Sequence, residues 1–226
     1  MSNATHEIVE RYERRKLDKK VIQHSQDIFF NHYAQSEREL HYLMIIKQRF
    51  PSPDAIKLLE IGAGTGINLF FFKKAGLAWK NIYANELLTD RLAILREAFP
   101  NIQTFEGDAC AIEPSLENSF DIVFQSTVFT SVLDDGFKVA LADKMWSLLK
   151  PGGIILWYDF AFDNPNNKDV KGIKKKEIGK LFSKAKSIVF HKTTLAPPIG
   201  RRVKNLYPVI NLFPFLRTHL IAVIEK

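Results

Sequence analysis

The run Leu58-Leu59-Glu60-Ile61-Gly62-Ala63-Gly64-Thr65-Gly66 constrains the fold more than any other stretch of this chain. It reads as a buried strand carrying one acid, a turn with glycine at alternate positions, and a helix beginning near Asn68. Without a Cβ, glycine lets the backbone turn tightly and approach a ligand closely. A helix start behind such a turn offers unpaired N–H groups and a partial positive charge. The combination predicts an α/β sheet that holds a nucleotide-like cofactor.

From residue 57 onward, strand and helix patterns alternate, which predicts a mostly parallel sheet covered on both faces. Strands are expected at 57–61, 81–86, 102–107, 120–125, 154–158, 187–190 and 219–224. Helices are expected at 68–75, ended by Gly76, and at 89–99, 135–149 and 173–185. Upstream, residues 6–21 pattern as an amphipathic helix with Ile8, Tyr12 and Val21. A second helical piece surrounds Ile28, Phe29, Phe30 and Tyr33. Ser36 and Glu39 then form a capping box for a third, which carries Leu40, Leu43, Met44 and Lys47 and stops before Pro51. The expected organisation is a helical extension or lid over 1–53 and a single α/β domain over 54–226.

The dinucleotide fingerprint Gly-x-Gly-x-x-Gly fits Gly62 and Gly64, but Ile67 stands at the third glycine position and the glycine falls early, at Gly66. Glu86 ends the second strand, 24 positions after Gly62, where a carboxylate can accept both hydroxyls of a ribose. That feature supports a nucleoside without choosing the cofactor. Asp108, in Phe105-Glu106-Gly107-Asp108-Ala109, discriminates better, because nicotinamide fingerprints require no acid there.

Taken in order, Glu-Ile-Gly-Ala-Gly-Thr-Gly, Glu86, the Asp108 segment and Leu148-Leu149-Lys150-Pro151-Gly152-Gly153 resemble class I S-adenosylmethionine-dependent methyltransferases. The resemblance covers about residues 56–160. It implies a Rossmann-like sheet of seven strands whose last strand runs antiparallel between the fifth and sixth. It implies S-adenosyl-L-methionine as cofactor and S-adenosyl-L-homocysteine as product. It implies that Asp108 accepts the adenine amine, that Ala109 presents a backbone N–H to the ring, and that Glu86 and Leu87 border the ribose. Glu60, Gly62, Ala63, Gly64, Gly66 and Asn68 would form the glycine-turn side of the site. Gln125 and Ser126, with Thr127 and Val128 beyond, would wall the methionine part, while Asp121 is structural. An Asn/Asp-Pro-Pro-aromatic motif is missing after the fourth strand, which argues against DNA adenine and protein glutamine as acceptors.

Methyl transfer from a sulfonium is an in-line displacement, so alignment and exclusion of water do most of the work and few residues are universal. Carboxylate acceptors need no base, whereas hydroxyl acceptors benefit from one. Asp159, at the end of the fifth strand, and His191, after the sixth, are the candidate bases. Of the N-terminal aromatics Tyr12, Phe29, Phe30 and Tyr33, Tyr12 is the favoured contact to the cofactor. The six histidines lack metal-ligand spacing and Cys110 is the single cysteine, so no metal site is expected.

The net charge of +7 is uneven. Residues 1–159 carry 18 Lys and Arg against 21 Asp and Glu, and residues 160–226 carry 14 against 4. A basic tail of this kind suits an anionic substrate, nucleic acid or an anionic membrane surface. Arg201 and Arg202 are the candidate anion ligands. The Asp163-Asn164-Pro165 loop and the run from Phe213 to His219 resemble tails of bacterial methyltransferases associated with surface-polysaccharide synthesis. The expected function is therefore O-methylation of a small-molecule or lipid-linked acceptor, with peripheral membrane contact and a cytoplasmic location. An RNA methyltransferase is a rival, weakened by the scarcity of stacking aromatics among the lysines. A nicotinamide oxidoreductase and a non-catalytic cofactor-binding protein are the other two.

Overall fold

The computed structural model describes residues 3–16, 27–165 and 167–226. Helix α1 (Asn3–Lys16) and helix α2 (Ile28–Arg49) precede the sheet. There follow β1 (Leu58–Ile61), α3 (Ile67–Lys74), β2 (Ile82–Glu86), α4 (Thr89–Ala98), β3 (Gln103–Glu106) and β4 (Phe120–Ser126). The remainder comprises α5 (Asp135–Leu148), β5 (Leu149–Phe160), α6 (Lys175–Leu181), β6 (Ser187–Leu195), α7 (Pro197–Val203), α8 (Tyr207–Ile210) and β7 (Arg217–Glu225).

The seven strands form one sheet in the order β3-β2-β1-β4-β5-β7-β6. Pairs from β3 to β5 are parallel, and β7 runs antiparallel to both β5 and β6. The antiparallel last strand between the fifth and sixth is thus present as expected. Strand alternation sends Leu59, Ile61, Ile155 and Trp157 to a core shared with α1, α5 and α6. Leu58, Ile154, Leu156 and Tyr158 go to a second core against α2, α3 and α4. Both faces are therefore buried, which is why the strands read as continuous apolar runs.

The N-terminal region differs from expectation. Val21, expected on the first helix, lies outside the described residues, and α1 ends its described course at Lys16. The two helical pieces expected around Phe29 and after Ser36 are one helix. Nothing in 28–49 breaks it, and the N-cap is Asp27, whose Oδ1 accepts the Phe30 amide at 3.2 Å. Glu39 accepts from Gln35 Nε2 at 2.6 Å, so the Ser36–Glu39 capping box does not form. The apolar face of α2 is Phe30, Ala34, Tyr42, Ile45 and Ile46, while Leu40, Leu43 and Met44 are exposed.

Strand β5 begins five residues early, because the Pro151-Gly152 turn forms a bulge within it; the register slips between Phe120 and Ile122, and Gly152 takes φ +78°. Strand β6 runs on to Leu195 and the basic helix is shorter than 173–185. The tail adds α7 and α8, which pack with Phe30, Ala34 and Leu195 in a third small core around Tyr207.

Candidate functional site

The glycine turn leaves the carboxyl end of β1 with all three glycines at positive φ: +66° at Gly62, +60° at Gly64 and +87° at Gly66. Two of them are also forced by close packing. A Cβ at Gly62 would lie 2.6 Å from Val128 Cγ2, and one at Gly66 would lie 2.5 Å from Phe99 Cε2. The turn is tied sideways to its neighbours. Gly64 N donates to Glu86 Oε2 at 2.6 Å, and Leu88 N donates to the other Glu86 oxygen at 2.8 Å. Asn85 Nδ2 donates to the carbonyls of Phe105 and Gly107, at 3.1 and 2.9 Å. The loops after β1, β2 and β3 are thereby held as one surface.

That surface is the floor of a cleft with about 740 Å³ of empty space out to its mouth, open solvent included. Gly62, Glu86, Leu87, Gly107, Asp108, Ala109 and Ser126 line it from below. Asp108 also accepts the Cys110 amide on Oδ1 at 2.9 Å, which fixes its direction. The burial of the Cys110 thiol pushes its pKa up to about 12, so it is no nucleophile at neutral pH. Thr5, Ile8 and Tyr12 of α1 form the roof. Tyr12 Oη lies 3.2 Å from Ser131 Oγ, and Arg11 donates to the Ser131 carbonyl at 2.9 Å. The Arg91 guanidinium, on the cleft wall, sits 4.6 Å from the Tyr12 ring centre. Lys16 pairs with Asp90 at 2.8 Å and Arg14 with Asp169 at 2.7 Å, so the roof is pinned to α4 and to the loop before α6.

Residues 58–153 match the methyltransferase domain family. Within these residues the chain has a methyltransferase domain with the class I S-adenosylmethionine-dependent fold. A search of curated proteins finds no match. Among solved structures, a S-adenosylmethionine-dependent methyltransferase from Archaeoglobus fulgidus is 14% identical, with a TM-score of 0.58 over 87% of this chain and 99% of its own. Phosphoethanolamine N-methyltransferase 2 from Haemonchus contortus, in complex with phosphomonomethylethanolamine and S-adenosylhomocysteine, is 19% identical with a TM-score of 0.55, over 81% of this chain and 51% of its own. The cyclase SpnF is 13% identical with a TM-score of 0.59, over 82% and 80%. At these identities the likeness is one of fold, and the cyclase shows that the fold hosts more than one chemistry.

The residues present in this methyltransferase fit S-adenosylmethionine. Two carboxylates, Glu86 and Asp108, line the cleft together with Gly62 and Gly107, which add no side chain, and a carboxylate can accept from a ribose diol or from an adenine amine. The other expected contacts sort by position. Leu87, Ala109, Ser126 and Tyr12 line the cleft together with Gly62, Glu86 and Asp108. Ala63, Gly64 and Gly66 shape the turn from behind that lining. Glu60 and Asn68 lie beneath the turn. Glu60 is fully buried, accepts Asn68 Nδ2 at 2.7 Å, and is pushed up to about pKa 8 by burial. Gln125, also fully buried, accepts the Val128 amide at 3.0 Å and donates to the Tyr158 carbonyl at 3.3 Å. It braces the wall whose surface is Ser126, Thr127 and Val128.

The candidate bases and anion ligands are placed elsewhere. Asp159 is buried below the loop after β4, where it accepts Thr130 Oγ1 at 2.6 Å, Thr130 N at 3.2 Å and Phe160 N at 3.1 Å. Burial pushes its pKa up to about 7. It holds Thr130, the residue before the cleft-lining Ser131, and does not itself line the cleft. His191 sits on β6, its ring 5.8 Å from that of His41, with its pKa lowered by burial. Arg201 lies on α7, 5.1 Å over the Phe30 ring and 3.9 Å from Asp27, and Arg202 is exposed beside it. Of the N-terminal aromatics only Tyr12 reaches the cleft; Phe30 and Tyr33 pack on Tyr207, and Phe29 is exposed. Asn85, Arg91, Thr5 and Ser131 were not expected. A buried asparagine inside an apolar strand was the one readable sign, at Asn85.

Proposed function

We propose that this methyltransferase moves the methyl group of S-adenosylmethionine to the oxygen of a small, anionic or lipid-linked acceptor. The observation that supports this reading is the cleft itself, where Glu86 and Asp108 offer carboxylates able to accept from a nucleoside beneath a roof contributed by α1. The bound cofactor would supply an electrophilic methyl on a positively charged sulfur. Glu86 and Asp108 orient it, the glycine turn admits it closely, and Tyr12, Ile8 and Thr5 keep water from the reacting end. Gln125 and Asp159 act by positioning, since they hold the loop that carries Ser126 to Ser131.

Glu86 and Asp108 are the acids among the described residues that line the cleft, and this reading assigns both to the nucleoside. An acceptor whose oxygen arrives already ionised needs no protein base, and a carboxylate is the simplest such group. The basic tail would concentrate anionic acceptors near the site. Transfer of tritiated methyl groups to a panel of carboxylate-bearing and phosphorylated small molecules, against hydroxyl-only and amine controls, tests this. Label on the carboxylates supports it. Label on amines alone, or on RNA, would overturn it.

A further inference from the structure

The segment between α7 and β7 is built inside out. Two of its polar side chains, Tyr207 and Asn211, turn inward to Glu37 of α2. The Glu37 carboxylate accepts Tyr207 Oη at 3.1 Å, Asn211 Nδ2 at 2.8 Å and the Thr194 amide at 3.0 Å. Arg217 then clamps the far end, donating to the Asn211 carbonyl from Nε at 2.9 Å and from Nη2. It donates from Nη1 to the Lys192 carbonyl at 3.0 Å. Tyr207 is stacked on Tyr33 with ring centres 5.1 Å apart. These bonds leave the segment little freedom to fold its apolar side chains away.

Those side chains face solvent. Leu206 is 60% exposed, Val209 55%, Leu212 72%, Phe213 47% and Phe215 76%. Single exposed hydrophobics are ordinary on a protein surface, but five within ten residues on an anchored scaffold form a patch. Charge identifies what covers it. Between Glu177 and Glu225 the chain holds no acid and eight Lys and Arg, among them Arg201, Arg202 and Lys204 at the near edge of the patch. Arg202 and Lys204 are exposed, and neither makes an ion pair among the described residues. Aromatic and branched side chains that protrude beside unpaired cations complement a surface that is apolar within and negative at its rim. Among the described residues no helix is long and apolar enough to cross a membrane, so the contact would be one of surface insertion.

We propose that residues 201–215 dock this protein onto an anionic lipid surface, with Leu212, Phe213 and Phe215 entering the acyl boundary and Arg202 and Lys204 meeting the headgroups. This does not depend on the acceptor assignment. Apolar burial and attraction to anionic headgroups then act together, as they do in interfacial segments.

The test is flotation of the full chain with vesicles of phosphatidylcholine alone and of phosphatidylcholine mixed with phosphatidylglycerol. The expected result is binding to the mixed vesicles, at least about tenfold weaker on the neutral ones and weakened by salt. The variant Phe213→Ser/Phe215→Ser should lose flotation, and Arg202→Gln/Lys204→Gln should bind mixed vesicles as weakly as neutral ones. S-adenosylhomocysteine affinity, which reads the cleft, should stay unchanged in both and so reports that they fold. Failure of the unaltered chain to float, or flotation that survives loss of both phenylalanines, would overturn the proposal. So would a concentration-dependent dimer that the phenylalanine variant abolishes, since the patch would then join two copies of the chain.

Discussion

Replacing Gly62 with alanine should cost more than the same change at Gly64, and by an amount that one neighbour controls. Both positions hold positive φ, +66° and +60°, a conformation that costs an L-residue roughly 1–2 kcal/mol. At Gly64 a Cβ meets nothing within 4 Å, so the conformational cost stands alone. At Gly62 it meets Val128 Cγ2 at 2.6 Å, and an overpacked contact of this kind adds about 1–3 kcal/mol. Gly64→Ala is therefore expected to lose about 1–2 kcal/mol and Gly62→Ala about 2–5 kcal/mol. Val128→Ala removes the colliding methyl, so adding it to Gly62→Ala should return about 1–3 kcal/mol of that loss. The assay is denaturant unfolding of Gly62→Ala, Gly64→Ala, Val128→Ala and the double variant, with S-adenosylhomocysteine affinity measured in parallel, because Val128 is also on the cleft wall. Equal losses at Gly62 and Gly64, or purely additive effects of Gly62→Ala and Val128→Ala, would refute the reasoning.

Other expectations follow from single contacts. Burial holds the Glu60 carboxyl near pKa 8 against an ordinary 4.5, so between those values the folded state keeps a proton that the unfolded chain has released. Stability should fall as pH rises through that window and level off above it. Glu60→Gln, which imitates the protonated acid, should flatten that slope in melts across the window, and an unchanged slope would contradict the assignment. Asp159→Asn places an amide where Thr130 N and Thr130 Oγ1 now donate, which should cost about 1–3 kcal/mol and weaken cofactor binding through the loop bearing Ser131. Calorimetry reads both effects. Tyr12→Ala removes the Ser131 contact and the ring beside Arg91, worth together about 1–2 kcal/mol. Release of S-adenosylhomocysteine should therefore quicken by roughly tenfold, measured by stopped-flow.

Legibility in the sequence followed the range of the forces involved. The glycine turn, Glu86 and Asp108 could be read because each answers a demand set within a few residues: a positive φ, the end of a strand, a loop cap. The antiparallel last strand between the fifth and sixth came from the resemblance and holds in the sheet. Tyr12 was expected at the cofactor side of a lid and lines the cleft, but its partner could not be read, since it meets Ser131 across 119 positions and no local pattern encodes that contact. The Ser36–Glu39 pair misled because a capping box marks a helix start only where the preceding chain is not already helical, and Asp27 had begun the helix earlier. Asp159 looked accessible from its place at a strand end, yet the loop after β4 folds over it and takes its hydrogen bonds. The tail hid α7 and α8 behind its prolines, because what orders them is Glu37, far away on α2.

The central claim is that Asp108 and Glu86 together hold an S-adenosyl nucleoside. Titration calorimetry of S-adenosylmethionine, S-adenosylhomocysteine and NAD against the unaltered chain and Asp108→Ala tests it most directly. The account predicts saturable binding of both S-adenosyl ligands, at least tenfold weaker in the variant (about 1.4 kcal/mol), with NAD bound weakly or not at all. Preference for NAD, or affinity indifferent to the loss of Asp108, would contradict it.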